Sequence, residues 1–398
     1  MRLTRLRGWL TIAVLALLVV STAAALPAQA APKIPKRPRL KAGLDTNSAM
    51  SYFFDGAEVL RKDPDRATAD FYWARQIDPT WADPIYGLYA ASLLDLSTGR
   101  MTEYFQNRRG RKRPADFLSI DSLAWLAELK NPFVDRRFDG VVLSEWVYRN
   151  GGSDANISDA AFENREMAAW LHYSHGEFKR AASVYADVIK QHPDDPDLRY
   201  ERGATLFAMG LLDSARAEVR SALSMKRTEE SNSGIGWASH PFLEYSLGFL
   251  YRLADQSDSA RAAYERALLD DLAFHPAHRE LAITRLAAHD TAGALSEYSS
   301  AVTLAPSDPG YLYEYGLLLL VSNHADSAAA VFKRSIAAAP YFASPHYFLG
   351  ILYESYGYVP EATGEFTSFL GMAPASLKPN IEVARQHLAR LQSDSAKH

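Results

Sequence analysis

The chain has 398 residues, of which 48% are apolar and 23% charged, an ordinary balance for a folded protein that excludes wholesale disorder. There is no cysteine, which removes disulfide frameworks, cysteine–metal sites, thiol catalysis and lipid-modified cysteine together. The formal charge of −4 becomes more negative once Arg2, Arg5 and Arg7 near the start are set aside, and a mildly acidic body argues against nucleic acid as a partner.

Residues 1–30 have the layout of an export signal: the three arginines, an apolar run over 9–20, and Ala28-Gln29-Ala30 as a small-x-small cleavage site. The competing expectation is an uncleaved anchor, because the apolar run extended to Leu26 approaches one membrane span. Either expectation puts the folded part outside the cytoplasm. Residues 31–42, with Pro32, Pro35 and Pro38 among basic side chains, read as an extended linker.

Residues 43–98 read as N-terminal helices. Ala67, Phe71, Ala74 and Pro79 keep the mutual offsets of Ala328, Phe332, Ser335 and Pro340, while the helix expected over 48–61 carries Asp55 where a small residue would fit. A further helix is expected over 83–96, with Pro84 in its first turn. Over 99–157 the periodicity disappears, which predicts an irregular, partly helical insertion. It holds a basic run, Arg108, Arg109, Arg111, Lys112 and Arg113, that reads as a surface loop or a patch for phosphate, anionic lipid or an acidic partner. It also holds a helix over 117–129, with Leu118, Leu123, Trp125, Leu126 and Leu129 sharing a buried face. Residues 141–148 read as helix or strand, with helix favoured by the surroundings.

Order returns over 158–227, where Gly176, Ala181 and Tyr185 are followed by Gly203, Leu206, Gly210, Ala215, Val219 and Ala222 in similar places. Residues 228–240, with Gly234 and Gly236, form a loop. The stretch 241–375 is the most regular. It opens with Gly248, Ala260, Tyr264 and Ala267, whose second helix is expected to run about one turn long because Pro276 comes late, and continues with Ala282, Ala294, Tyr298 and Ala301. Pro306, Pro340 and Pro374 then stand at equal intervals of about 34 residues, a period that marks a helical repeat array. Gly316 and Gly350, Ala328 and Ala362, and Phe332 and Phe366 keep the same register. Residues 376–398 add a helix with Val383, Leu388 and Leu391 on one side and Glu382, Arg385, Gln386 and Arg390 on the other, as a solenoid cap requires.

This pattern resembles the tetratricopeptide repeat over roughly residues 45–95 and 158–374. The resemblance implies an all-α fold, a right-handed α–α superhelix (TPR-like solenoid) with an irregular helical insertion and a C-terminal capping helix. Gly203, Gly248, Gly316 and Gly350 would let helices approach closely opposite Ala215, Ala260, Ala328 and Ala362, with an aromatic such as Tyr264 filling the space beside each alanine.

In this family the first helices line a concave groove, and positions five and nine of each unit face it. Read against that template, the fifth positions are Tyr200, Tyr245, Arg279, Tyr313 and Tyr347, and the ninth are Phe249, Ile283, Leu317 and Ile351. The partner-binding residues so implied are Tyr200, Tyr245, Phe249, Arg279, Tyr313, Leu317, Tyr347 and Ile351. The lysines and asparagines that clamp a peptide carboxylate are missing, so an extended peptide, an apolar partner helix or a glycan stacked on rings fits better. The competing expectation is that these tyrosines pack against the neighbouring repeat.

Chemistry has little foothold. His172 and His175, and His275 and His278, are close pairs without a third ligand at metal spacing, and there is no His-Glu-x-x-His, Gly-x-Ser-x-Gly or glycine-rich phosphate loop. No catalytic residue, metal or cofactor is expected. The reading is a non-enzymatic interaction scaffold, periplasmic or secreted, that takes a protein or peptide partner and meets a membrane only through an uncleaved N-terminal segment. The alternatives are a carbohydrate-binding scaffold of a polysaccharide export or envelope assembly machine and, more remotely, a hydrolase or metalloenzyme built on residues 100–157.

Overall fold

The computed structural model describes residues 34–107, 115–154, 162–229 and 239–395. The expected export signal, the basic run and most of the 228–240 loop lie outside the described residues. Among the described residues every regular element is helical. The N-terminal half holds α1 (Ala49–Val59), α2 (Pro64–Ile77), α3 (Asp83–Leu94), α4 (Thr98–Asn107), α5 (Ala115–Lys130) and α6 (Arg137–Arg149). The first repeats contain α7 (Phe162–Ser174), α8 (Phe178–Gln191), α9 (Pro196–Ala208) and α10 (Leu212–Glu229). Next come α11 (His240–Leu253), α12 (Ser257–Asp270), α13 (His275–Ala287), α14 (Thr291–Leu304), α15 (Pro309–Val321), α16 (Ala325–Ala338), α17 (Ala343–Ser355) and α18 (Val359–Met372). A short 3-10 turn, Ala375–Leu377, leads into α19 (Lys378–Ser395). Consecutive helices pack on one another from α6 onward, as an α–α solenoid requires.

The glycines make these pairs possible through rings. A Cβ on Gly316 would lie 2.5 Å from Phe332 Cε1, and one on Gly350 would lie 3.0 Å from Phe366 Cδ1. Tyr264 crowds Gly248 in the same way, and Val219 stands 3.2 Å from the corresponding point at Gly203. The first helix therefore has a notch at the glycine that takes the aromatic of the second helix, while Ala215, Ala260, Ala328 and Ala362, expected to face the glycines, are fully buried beside it.

A second periodic device sits between the helices of each pair from α7 onward. Gly176, Gly210, Asp255, His289, Asn323 and Gly357 all adopt the left-handed conformation, with φ between 56° and 76°. Apart from the step across the 228–240 loop, they recur at the interval of the prolines. This turn needs one positive-φ residue to reverse the chain, and glycine holds it at three positions without strain.

Three expectations change. The second helix of the 241 unit is not extended: α12 has 14 residues, as do α14 and α16, and Pro276 instead sits in the first turn of α13. Leu118 is exposed, because α5 turns Phe117, Asp121, Ala124 and Ala127 inward. Val383 is exposed too, and α19 covers the last repeat with Ala384 and Leu391. The 141–148 segment is helix, within α6, and Trp170 and Ser174 of α7 pack over its Gly140.

In the first pair, Asp55 is not merely tolerated. Arg66 Nε binds Asp70 Oδ2 at 2.9 Å and its other arm binds Asp55, so one guanidinium holds two buried carboxyls. Burial, reinforced by Asp55, pushes the Asp70 carboxyl up to about 7.

The first pair also meets the last repeats. The Ala375 backbone N–H donates to Asp45 Oδ2 at 2.8 Å, and Asn47 Nδ2 donates to the Gly371 carbonyl at 3.1 Å. Trp73 of α2 makes an edge contact with Tyr341 at 4.6 Å, and Arg37 lies over the Trp73 ring at 5.0 Å.

Candidate partner-binding groove

The fifth-position ladder is occupied by the chain itself. Tyr200 and Tyr245, expected to face an incoming partner, are 4% and 1% exposed. The Tyr245 hydroxyl donates to the Leu129 carbonyl at 3.1 Å, and the Tyr200 hydroxyl to the Pro132 carbonyl. Both carbonyls belong to the end of α5 and the turn that follows it, where helix geometry leaves carbonyls without a partner. Burial pushes both phenols far above their ordinary range, so they act as neutral donors.

Side chains of the same segment complete the filling. Phe133 stacks on Phe207 at 4.7 Å and on Tyr200 at 6.1 Å, with Phe249 at 5.9 Å, and Trp125 packs on Phe242 at 5.1 Å. Lys130 Nζ reaches Asp308 Oδ2 at 2.7 Å and lies 5.5 Å from the Tyr311 ring centre. Asp308 also caps α15 by accepting from Gly310 and Tyr311 N–H. Its burial favours the neutral form, yet Lys130 and these N–H groups hold its carboxyl below the usual range.

Arg279 is also spoken for. It binds Glu314 through two nitrogens at 2.7 and 2.6 Å and Glu280 at 2.5 Å, and Arg252 in turn reaches Glu280 at 2.9 Å. Arg252, Glu280, Arg279 and Glu314 thus form an alternating charge chain across α11, α13 and α15. Sequence reasoning missed it because two of its links, Arg252–Glu280 and Arg279–Glu314, run between repeats about one unit apart. Tyr313 is half-buried against Phe342 at 5.0 Å, and Tyr347 is buried against Phe348 and Phe369, both at 5.2 Å. The fifth position is a packing level throughout.

The ninth position differs. Phe249, Ile283, Leu317 and Ile351 are half-buried, each with a side toward solvent. Three or four residues further along the same helices stand Leu253, 41% exposed, Leu286, 40%, and Val321, 73%. An open apolar stripe therefore crosses α11, α13 and α15 beside the filled level. The signal for these residues lay in their helical spacing from the ninth position.

The close histidine pairs bind locally. His172 Nδ1 meets Glu177 Oε2 at 2.7 Å, His278 Nδ1 meets Glu297 Oε2 at 2.7 Å, and His275 Nδ1 meets the Tyr311 hydroxyl at 3.1 Å. Among the described residues no helix is long and apolar enough to cross a membrane.

The family model described as tetratricopeptide repeat matches residues 166–231 and 279–343. No curated protein matches the chain. Solved structures similar to it include YrrB, titled a TPR protein with an unusual peptide-binding site, at 17% identity and a TM-score of 0.40, over 51% of this chain and 99% of that one. The C-terminal part of a TPR repeat-containing protein from Cytophaga hutchinsonii is similar at 12% identity and a TM-score of 0.48, over 58% and 88%. Pseudomonas aeruginosa pilF is similar at 13% identity and a TM-score of 0.44, over 61% and 99%. The matched segments fall on helix pairs whose glycine notches and evenly spaced turns are described above, and over them the chain carries tetratricopeptide repeats.

Proposed function

We propose that the protein is a non-enzymatic interaction scaffold, working outside the cytoplasm, that seats an apolar segment of a protein partner on the stripe formed by Phe249, Leu253, Ile283, Leu286, Leu317, Val321 and Ile351. One observation carries this reading. Three consecutive first helices each expose a large aliphatic side chain in the last turn, although the aromatic level beside them is sealed by the chain's own residues. Repeated exposure of this kind costs solvation in each unit, and its continuity suits an amphipathic partner helix or an extended apolar strand. The export part of the reading rests on the arginines, the apolar run and Ala28-Gln29-Ala30 of the N-terminal segment.

A glycan stacked along Tyr200 and Tyr245 would need rings that are covered here. The test is crosslinking capture in the native host with wild type, with Leu286→Glu/Val321→Glu, and with a control pair of glutamates on the exposed side of α19. A partner captured by wild type and by the control, and lost with the stripe variant at unchanged melting temperature, is the expected result. Equal capture by all three would sink the assignment.

A further inference from the structure

The segment that fills the aromatic level is held in the way a bound peptide is held. Its anchor, Phe133, enters a box of three rings contributed by α9 and α11. Two tyrosine hydroxyls of the array cap carbonyls at the end of α5, and a single lysine meets the capping carboxylate of α15. Contacts thus come from the first helices α9 and α11 and from the start of α15, so one short segment is gripped by three repeats at once. The repeats do not depend on it for their own pairing, since the glycine notches and buried alanines hold each pair from within.

We propose that residues 125–136 are an intramolecular ligand of the array, displaced by a partner segment of the same chemistry. That segment is the end of a helix with an aromatic and a leucine one turn apart, a lysine beside the leucine, and an aromatic reached past a proline. In this chain the pattern is Trp125, Leu129, Lys130, Pro132 and Phe133. The tyrosines then select a helix end, because only there are carbonyls free to accept. Lys130 selects charge through Asp308, and the ring box selects the final aromatic. Displacement would join the vacated level to the open stripe through Phe249, which borders both. The proposal rests on the scaffold reading but fails separately from it.

The experiment uses a fluorescein-labelled peptide of residues 121–136 and the full chain, read by fluorescence anisotropy. Occupancy in cis lowers apparent affinity by the fraction of groove that is open, so Lys130→Glu/Phe133→Ala, which weakens the internal ligand, should bind the peptide about tenfold or more tightly than wild type. A peptide that itself carries Phe133→Ala should not bind. A folded variant that binds no better than wild type overturns the proposal. Should the variant fail to fold, hydrogen exchange on wild type decides. Amides of residues 121–136 should exchange through an opening that leaves α11 to α18 protected, and exchange only together with those helices overturns it. Stripe-dependent partner capture that persists after either negative result would leave the scaffold reading standing without the internal ligand.

Discussion

Tyr245 and Val321 both belong to first helices, only two repeats apart, and they have opposite fates. The tyrosine is sealed under the end of α5, whereas the valine is largely in water. Recurrence of a residue type across repeats therefore does not separate recognition from packing, since both demands repeat with the period. What separates them is cover: the fifth position is covered by the end of α5 at Tyr200 and Tyr245 and by neighbouring repeats at Tyr313 and Tyr347, whereas the residues beyond the ninth reach water.

This contrast is open to attack in order of expected effect. Phe133→Ala empties the ring box and should cost about 3–5 kcal/mol in urea or thermal unfolding. A loss below about 1 kcal/mol would mean that the level is only loosely filled.

A pH series probes the buried charge cluster of the first pair. Asp70 holds its proton in the folded state up to about 7, against an ordinary value of 3.8. The folded state then binds more protons than the unfolded one in between, so stability is fullest below the ordinary value and falls as pH rises toward 7. Wild type should lose on the order of 4 kcal/mol relative to Asp70→Asn over that window. A flat difference in chemical denaturation would exclude it.

Gly316→Leu drives a side chain into Phe332 and should cost about 1–3 kcal/mol, with Gly350→Leu at the lower end because its ring stands further off. Tyr245→Phe removes only the donor to the Leu129 carbonyl and should cost about 1 kcal/mol by equilibrium unfolding, more than the same change at exposed Tyr358. Val321→Glu should move stability by less than about 0.5 kcal/mol, because the site is open and makes no buried contact to lose. A large loss there would erase the distinction between the two levels.

Much of the fold was legible because it follows from period. Gly316, Ala328 and Phe332, with their counterparts one repeat on, state a helix pair in any context, and the even spacing of left-handed turn residues echoes it. What stayed hidden is aperiodic. Nothing about Trp125 or Phe133 says which distant helix will receive it, since the contacts to Phe242 and Phe207 are non-local and specific to this chain. Leu118 looked buried because α5 is covered on two sides, so its apolar pattern outlines no single stripe. Arg279 looked available because its partner, Glu314, lies in the next repeat.

The contacts of Asp45 and Asn47 with residues 371–375 carry a consequence for how such a molecule can change. An open array tolerates an added or deleted repeat, because each unit answers only to its neighbours. Here an extra repeat between α10 and α17 would separate two ends that are joined, and the chain would have to give up either the new unit or the join. The number of repeats has become a structural constant, and variation is left to the loops and to the open stripe.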